Sequence, residues 1–374
     1  MVYGKFYVRF QMFVVFISVV LIGSCSGQDD KSGDWMIGPF SKLDDSNPCL
    51  VSDETSVFNC PVNRVMINWE IKDVFNPAVV VRDDKIYLLY RAEDSVGLHL
   101  GTSRIGLAES NDGLTFTKRP EPVLYPDNDR MNLFEWDGGC EDPRVVEDNE
   151  ERYIMTYTAW DGNTARLSVA TSADLVNWKK HGLAFGEAYN GKYRDTWSKS
   201  GSIVCKLKGN RLVAAQINGK YWMYWGDSDI YLATSENLID WKPVENENRN
   251  LKPVFSPRKG YFDSELVEPG PPALVTEQGI VMIYNSKNSA TEGDENLPDG
   301  TYAAGQVLMD AGDPGKILKR TEEYFFFPEK PYELTGQVNN VCFLEGLAWF
   351  RNKWFLYYGT ADSKIAVAVY DPKI

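Results

Sequence analysis

The sequence has few side chains that bind metals. Its 374 residues include only two histidines, His99 and His181, and six cysteines, none of which forms a Cys-x-x-Cys pair. Structural zinc sites need several such ligands at close spacing. A histidine-based zinc site is therefore not expected.

Basic residues are scarce relative to acidic ones. The chain has 39 Lys and Arg against 53 Asp and Glu, which gives a net charge of −14. Such a surface repels phosphate backbones, and this argues against nucleic acid as a partner. It also offers no attraction to anionic lipids, so attachment to a membrane would depend on a covalent lipid.

Long apolar runs are lacking beyond the first 24 residues. There, Lys5 and Arg9 precede an apolar run at 12–23, and Cys25 follows small residues. This pattern is typical of an export signal, and the run is short for a membrane span. We predict a lipoprotein signal peptide over residues 1–24, lipidation of Cys25, and a protein anchored by lipid in the cell envelope, periplasmic or on the outer surface. An ordinary signal peptide and an N-terminal membrane helix are the alternatives.

The other cysteines fall into two sets. Cys49 and Cys60 lie close together in a poorly periodic segment of a protein expected in an oxidising compartment, where they either form a disulfide or stay free. Cys140, Cys205 and Cys342 stand beside apolar strand residues. We predict that these three fill the core rather than bind a ligand.

Helical periodicity is lacking over any long stretch. After a polar tether and irregular segment at 25–60, aromatic and β-branched runs follow polar turns and predict β-strands. These runs occupy residues 85–90, 152–157, 279–284 and 353–358.

Five short turns recur along the chain, and each opens a predicted strand. They lie at residues 76–78, 141–144, 199–202, 268–272 and 345–347. Radial repetition of small sheets gathers their first strands around one axis, so that side chains from distant parts of the sequence meet in one pocket. We predict an all-β fold in which residues 61–374 form a five-bladed β-propeller catalytic domain.

A second phrase closes three of these repeats. Ala-x-Ser is followed by a polar turn and an aromatic residue at 108–116, 170–178 and 233–241. We expect each aromatic residue to fold back onto its sheet, with ordinary hairpins as the alternative.

Acidic residues stand at three of the predicted strand ends. Glu141 and Asp142 are adjacent, so their carboxylates should point to opposite sides of a strand. Glu268 precedes the stiff Pro-Gly-Pro-Pro turn at 269–272, which suits the rigid placement of a general base. A solvated acidic turn and a plain strand bend are the alternatives for these two clusters. Asp227 follows the aromatic strand at 221–225, and aromatic rings beside carboxylates favour a carbohydrate ligand.

Six motifs follow one another between about residues 70 and 370. They are Asn-Pro-Ala at 76–78, Tyr-Arg-Ala at 90–92, Glu-Asp-Pro-Arg at 141–144, Lys-Ser-Gly at 199–201, Pro-Gly-Pro-Pro at 269–272 and Tyr-Tyr-Gly-Thr-Ala-Asp-Ser at 357–363. Their order resembles glycoside hydrolase family 130. The members of that family are five-bladed β-propellers that act on β-mannosides, as inverting hydrolases or inverting phosphorylases.

The resemblance implies roles for single residues. Asp142 matches the proton donor to the glycosidic oxygen, and Arg91 and Asp362 match positions that hold the terminal mannose. The remaining candidates for substrate binding are Asn76, Arg144, Lys199, Tyr284, Asn285 and Glu345.

The nucleophile distinguishes the two reactions of the family. Its phosphorylases hold phosphate with cationic groups that include a His in a Tyr-His-Gly stretch, where this chain has Tyr284-Asn285-Ser286. Asp227 and Glu268 are expected near the same place. Two anions with no cation between them would repel phosphate and would suit the activation of water.

The resemblance therefore predicts an inverting, exo-acting β-mannosidase that prefers β-1,2-linked manno-oligosaccharides and requires no cofactor. Asp142 would donate the proton, directly or through a sugar hydroxyl, and Glu268, helped by Asp227, would deprotonate the water. Export favours hydrolysis, because phosphorolysis conserves energy only where the sugar phosphate is made inside the cell. The alternatives are a β-mannoside phosphorylase and a non-catalytic surface glycan-binding lipoprotein.

Overall fold

The computed structural model describes residues 1–2, 4, 35–96, 99 and 101–373. The chain from Trp35 onward forms one compact unit. Most of the predicted signal peptide and the predicted lipidation site, Cys25, lie outside the described residues, so both stay predictions. Within the described ranges, no helix has the length and apolar character needed to cross a membrane.

The chain is all-β, as predicted. In the part that the structure describes, the only α-helices are α1 (Asn132–Glu135) and α2 (Pro331–Leu334). The strands, in chain order, are β1 (Ser41–Lys42), β2 (Val57–Cys60), β3 (Val65–Asn68), β4 (Asp73–Arg82), β5 (Lys85–Glu93), β6 (Ser103–Ser110), β7 (Thr117–Lys118), β8 (Gly139–Glu147), β9 (Tyr153–Trp160), β10 (Ala165–Ser172), β11 (Lys179–Leu183), β12 (Ser202–Ile203), β13 (Cys205–Lys208), β14 (Arg211–Ala214), β15 (Gln216–Ile217), β16 (Lys220–Trp225), β17 (Tyr231–Ser235), β18 (Trp241–Pro243), β19 (Leu266–Pro269), β20 (Leu274–Val275), β21 (Ile280–Lys287), β22 (Tyr302–Met309), β23 (Ile317–Arg320), β24 (Cys342–Phe350), β25 (Lys353–Thr360) and β26 (Lys364–Tyr370).

Antiparallel pairing arranges these strands in five successive groups. The groups are β4–β7, β8–β11, β12 with β15–β18, β19–β23, and β24–β26 with β1. β13 and β14 form a hairpin that pairs in parallel with β20 on one side and β8 on the other. No sheet built from the described strands closes on itself, so the five-bladed propeller stays a prediction.

The N-terminal part of the compact unit belongs to the last strand group. β1 pairs with β26 through Ser41 and Val369, and Trp35 and Ile37 are buried in the core. The edge of β26 thereby gains a strand partner. The segment at 35–60, which is largely irregular, belongs to the same compact unit as the residues that follow it, and the division expected at residue 61 stays a prediction.

The three repeated turns have one geometry. The backbone N–H groups of Gly113, Leu175 and Leu238 each donate a hydrogen bond to the hydroxyl of the serine three residues earlier, at 2.8–2.9 Å. The indole of Trp178 donates a hydrogen bond to the carbonyl oxygen of Leu175, and the indole of Trp241 donates one to the carbonyl oxygen of Leu238. The predicted fold-back of an aromatic residue is therefore present in both of these copies.

The cysteines follow the predicted division. Cys140, Cys205 and Cys342 are buried in β8, β13 and β24, as their apolar neighbours indicated. Cys49 and Cys60 are free thiols. Of the two states left open for this pair, the structure has the reduced one.

Candidate active site

The first strands of three groups carry a bulge near their start. Asn76 in β4, Asp142 in β8 and Glu345 in β24 each lie in a gap of the strand pairing. Asn76 and Asp142 both have φ of +47°, in the left-handed region that Asn and Asp tolerate better than most residues. A bulge re-aims a side chain out of the regular alternation of a strand. The side chains of Asn76, Asp142 and Glu345 therefore do not follow the regular alternation between the two faces of their sheets.

The strand openings surround a cavity of about 130 Å³. Six residues that the sequence singled out line it, and they come from all five strand groups, counting Lys199, which leads into β12, and Asp362, which lies between β25 and β26. They are Asn76, Arg91, Asp142, Lys199, Glu268 and Asp362. The fold therefore brings together carboxylates that are far apart in the sequence.

Asp142 is the most heavily paired of these carboxylates. Asn76 Nδ2 donates a hydrogen bond to Asp142 Oδ1 at 2.9 Å, and Arg91 Nη1 lies 3.2 Å from the same oxygen. Lys199 Nζ lies 3.4 Å from Oδ2. Burial alone would raise the pKa of Asp142, but the two cations and the amide outweigh burial and lower the pKa. The carboxylate is therefore ionised in the free pocket.

The surroundings of Glu268 raise its pKa, in contrast to those of Asp142. It is buried, and the hydroxyl of Ser200 donates a hydrogen bond to its Oε1. Burial, reinforced by the charge of Asp227, raises the pKa of Glu268 to about 7, against the lowering effects of Lys199, Arg144 and Ser200. Near neutral pH this group can therefore gain or lose a proton, as a general acid or base must.

Lys199 stands among the acids. Burial would lower its pKa, but Asp142, Glu268 and Glu141 raise the pKa well above its ordinary value, so the ammonium group stays charged. The expectation of a pocket with no cation between its acids is wrong. The reason is the position of Lys199 at the opening of the third strand group, directly before the left-handed Ser200 with φ of +57°.

Asp227 does not line the cavity. Its Oδ2 accepts a hydrogen bond of 2.7 Å from the indole of Trp197, a residue that is 48% exposed. Asp227 acts on Glu268 through its charge, which helps to raise the pKa of Glu268. Asp227 therefore lies within electrostatic reach of Glu268 without lining the cavity, and its share in the base role stays a prediction.

Arg91 joins the cavity to a wider ring of acids. Its guanidinium lies 2.6 Å from Glu93 and 2.8 Å from Glu141, and it stacks on the ring of Phe75 at 4.7 Å. Asp362 is the third carboxylate of the cavity. Burial, with the charge of Asp142, raises the pKa of Asp362 to about 6 against the lowering effect of Arg91.

Four predicted substrate-binding residues do not line the cavity, and their role in binding stays a prediction. Arg144 is buried, and its guanidinium donates to the carbonyl oxygens of Pro269 and Gly270 at 2.7 Å. Glu345 is fully buried and lies 3.0 Å from Arg144. Through these contacts the two residues connect the second, fourth and fifth strand groups.

Tyr284 and Asn285 are the other two of these four residues. The Tyr284 hydroxyl donates to Asp263 at 2.8 Å. Asn285 donates to the carbonyl oxygen of Leu344 at 3.0 Å and accepts from the N–H of Leu344 at 2.8 Å. Both side chains are fully buried and satisfied within the protein, so neither is available to a ligand.

The sequence reasoning missed the apolar wall of the cavity. This wall consists of Tyr302, Val338, Val341 and Phe343. Tyr302 begins β22 and Phe343 lies in β24, where an aromatic residue at a strand start gave a weak signal. Val338 and Val341 follow α2 in a segment without any repeated motif. Among the described residues, no group of three or more His, Cys, Asp or Glu side chains is arranged to hold a metal ion.

Known proteins resemble this chain over most of its length. Residues 53–374 match the family described as Glyco_hydro_130, beta-1,4-mannooligosaccharide phosphorylase. A curated relative from Thermoanaerobacter sp. (strain X514), named 1,2-beta-oligomannan phosphorylase, is 31% identical over 313 residues, which cover 82% of this chain and 92% of the relative. Other curated relatives that match are also named phosphorylases.

Solved structures are more similar still. A glycosyl hydrolase from Bacteroides ovatus is 48% identical with a TM-score of 0.89, and the match covers 91% of this chain and 96% of that chain. A second structure is described as "The GH130 family of mannoside phosphorylases contains glycoside hydrolases that target beta-1,2 mannosidic linkages in Candida mannan". It is 47% identical with a TM-score of 0.89, and the match covers 91% of this chain and 96% of that chain.

Proposed function

The chain belongs to glycoside hydrolase family 130, and from this membership we propose that it is an inverting, exo-acting hydrolase of β-1,2-linked manno-oligosaccharides. Action on β-mannosides comes with the family. The linkage, the release of a terminal sugar and the use of water are the proposal. The linkage is supported by the names of similar proteins that refer to β-1,2 linkages.

The size and walls of the cavity support attack on a terminal sugar. A volume of about 130 Å³ suits one ring better than a chain of rings. Tyr302 and Phe343 offer apolar faces, and Arg91, Asp142 and Asp362 offer groups that hydrogen-bond to hydroxyls. The recognition of one mannose at the chain end follows from this combination.

The observation that carries the choice of water is the pairing of the cations. Arg91 and Lys199 are the two cations that line the cavity, and both face carboxylates. A phosphate would have to compete with Asp142 for both of them. Each unscreened contact between like charges at 4 Å costs about 4 kcal/mol at an effective dielectric constant of about 20. Water meets no such repulsion.

Phosphorolysis is the second candidate, and two observations favour it. The names of the curated relatives support a phosphorylase better than the predicted hydrolase. Lys199 is a cation beside Asp142 and Glu268, and a cation at this place suits a phosphate. The names of the solved structures, at higher sequence identity, support hydrolysis.

The proposed reaction assigns one proton transfer to each of two carboxyl groups. Water attacks the anomeric carbon from the face opposite the leaving group and passes a proton to Glu268. The glycosidic bond breaks, and the leaving oxygen takes a proton from Asp142, directly or through a sugar hydroxyl. Because Asp142 is ionised in the free pocket, its proton must be gained in the complex. Sugar hydroxyls that accept hydrogen bonds from Arg91 and Lys199 would weaken the hold of these cations on Asp142 and raise its pKa.

Two further expectations belong to the proposal. We propose that the five strand groups are the blades of a propeller, which the repeated strand openings support. We also propose export and lipid attachment at Cys25, which the N-terminal sequence pattern alone supports.

The test is product analysis of β-1,2-mannobiose and longer oligomers incubated with and without phosphate. Release of mannose at the same rate in both mixtures supports hydrolysis, and a product of mannose 1-phosphate rejects it. A rate of sugar release no faster than that of Asp142→Asn would instead favour the non-catalytic glycan-binding protein.

A further inference from the structure

We propose that Ser200 is a positioning residue that holds Glu268 in the orientation required of a base and sets the pH at which it acts. This inference rests on the proposed function, in which Glu268 takes a proton from the attacking nucleophile. The hydroxyl of Ser200 donates a hydrogen bond to Glu268 Oε1, and the two residues are 68 positions apart. Both are buried, Ser200 at 1% exposure and Glu268 at 6%.

The backbone conformation at Ser200 orients this hydroxyl toward Glu268. Ser200 has φ of +57°, a conformation that costs free energy for any residue with a Cβ atom. The flanking residues are fixed on both sides. Lys199 accepts a backbone hydrogen bond of 3.0 Å from Gly226, and Gly201 accepts one of 2.6 Å from the Thr156 hydroxyl. The strained conformation is therefore maintained by the surrounding strands.

No other described side chain donates a hydrogen bond to Glu268. The charged and titratable groups that face Glu268 act on it without such a bond. They are Lys199 and Arg144, which favour the ionised form, Asp227, which disfavours it, and Glu345 and Tyr302, which lie within electrostatic reach. Ser200 is thus the group that selects one carboxylate oxygen and leaves Oε2 for the nucleophile.

Loss of the Ser200 hydroxyl should change the pKa of Glu268 in one direction. A hydrogen bond donated to a carboxylate favours its ionised form, so removal of the donor raises the pKa of Glu268. The base must be ionised to act. The acidic limb of the pH profile of kcat/KM, where activity falls because Glu268 is protonated, should therefore move to higher pH. From the usual strength of a hydrogen bond to a charged group, the shift is about one pH unit.

The experiment measures kcat/KM against pH for wild type, Ser200→Ala, Ser200→Gly and Ser202→Ala. Ser202 is a matched control, because it is also fully buried but donates to the carbonyl oxygen of Pro271 at 2.8 Å. Ser200→Gly removes the hydroxyl while relieving the positive φ, so it serves if Ser200→Ala folds poorly. We expect the limb of both Ser200 variants to move to higher pH, with a loss of about tenfold in kcat/KM below the limb and a smaller loss above it that reports the less fixed orientation of Glu268. Ser202→Ala should keep the wild-type limb.

A uniform loss of activity at every pH, with no movement of the limb, would overturn the inference. If wild type cleaves no β-mannoside under any condition, the proposed function fails separately. The inference is then decided by infrared titration of the Glu268 carboxyl band, identified by its absence in Glu268→Gln. A higher midpoint in Ser200→Gly than in wild type supports the role of Ser200, and an equal midpoint contradicts it.

Discussion

Asn76 donates a hydrogen bond of 2.9 Å to Asp142, although the two residues are 66 positions apart and belong to different strand groups. Both occupy strand bulges, and both have φ of +47°. The same local distortion, repeated in two sheets, brings their side chains together. The acid at the centre of the proposed mechanism is thus oriented by its counterpart in the neighbouring group.

Asp142→Asn should abolish most of the activity. Asparagine has nearly the same shape but cannot supply a proton, and loss of a positioned general acid typically costs 10²- to 10⁴-fold in rate. The measurement is kcat on a β-1,2-mannobiose substrate. Glu147→Gln is the control, because Glu147 is also buried in β8 but pairs with Arg211 at the far end of the strand. Full activity of Asp142→Asn would contradict its role as donor.

Asp227→Asn should move the acidic limb of kcat/KM to lower pH while the enzyme stays active. The charge of Asp227 raises the pKa of Glu268, so its removal lets Glu268 ionise at lower pH. Asp229→Asn is the control, since Asp229 accepts a hydrogen bond from Tyr231 and is not among the charges with the largest effects on Glu268. A loss of activity as large as that of Glu268→Gln would mean that Asp227 shares the base role after all.

Glu268 should make the protein less stable as the pH rises. Its pKa in the folded state is about 7, above the ordinary value of 4.5, so the folded state binds the proton more tightly than the unfolded state. Stability from this source is complete below pH 4.5 and is lost as the pH rises through 7. A difference of about 2.5 pH units corresponds to about 3 kcal/mol.

Urea unfolding between pH 4.5 and 8 measures this effect. The free energy of unfolding of wild type should fall relative to that of Glu268→Gln over this range. Parallel curves for the two proteins would show that the pKa of Glu268 is not raised by folding.

Asn285→Ala should destabilise the protein without a change in KM. The variant leaves the buried N–H and C=O groups of Leu344 without their partner, which costs about 2 kcal/mol or more. Chemical unfolding and steady-state kinetics separate the two roles. Asn296→Ala, in an exposed loop, is the control. An unchanged stability together with a raised KM would restore Asn285 as a substrate-binding residue.

Motifs at strand openings supplied four of the residues that line the cavity, although Arg144 and Glu345 stand in such motifs without lining it. Asn76, Asp142, Lys199 and Glu268 stand in such motifs, and their turn chemistry marks a place where the backbone leaves regular pairing. Tyr284 and Asn285 were expected at the pocket but do not line the cavity, and this has a physical reason. A motif predicts where a strand lies along the chain. It does not predict toward which face each side chain points, or which group in a neighbouring sheet a buried polar side chain contacts.

The protonation states of the charged groups in the pocket were the other feature that could not be predicted from the sequence. Asp142, Glu268 and Lys199 each carry a formal charge in the sequence, but which of them is stabilised depends on burial and on distances of a few ångström. Lys199 pairs with Asp142 at 3.4 Å and so favours an ionised acid where a proton donor was expected. Such a balance arises from three separate segments that only the folded chain brings together.

The most direct test of the account is cleavage of β-1,2-mannobiose in H₂¹⁸O with phosphate present, followed by mass spectrometry and early-time NMR of the products. The account predicts one ¹⁸O atom at the anomeric carbon of released mannose, with the α-anomer formed first because Asp142 and Glu268 act on opposite faces of the ring. Mannose 1-phosphate without ¹⁸O at that carbon, or the β-anomer as the first product, would contradict it.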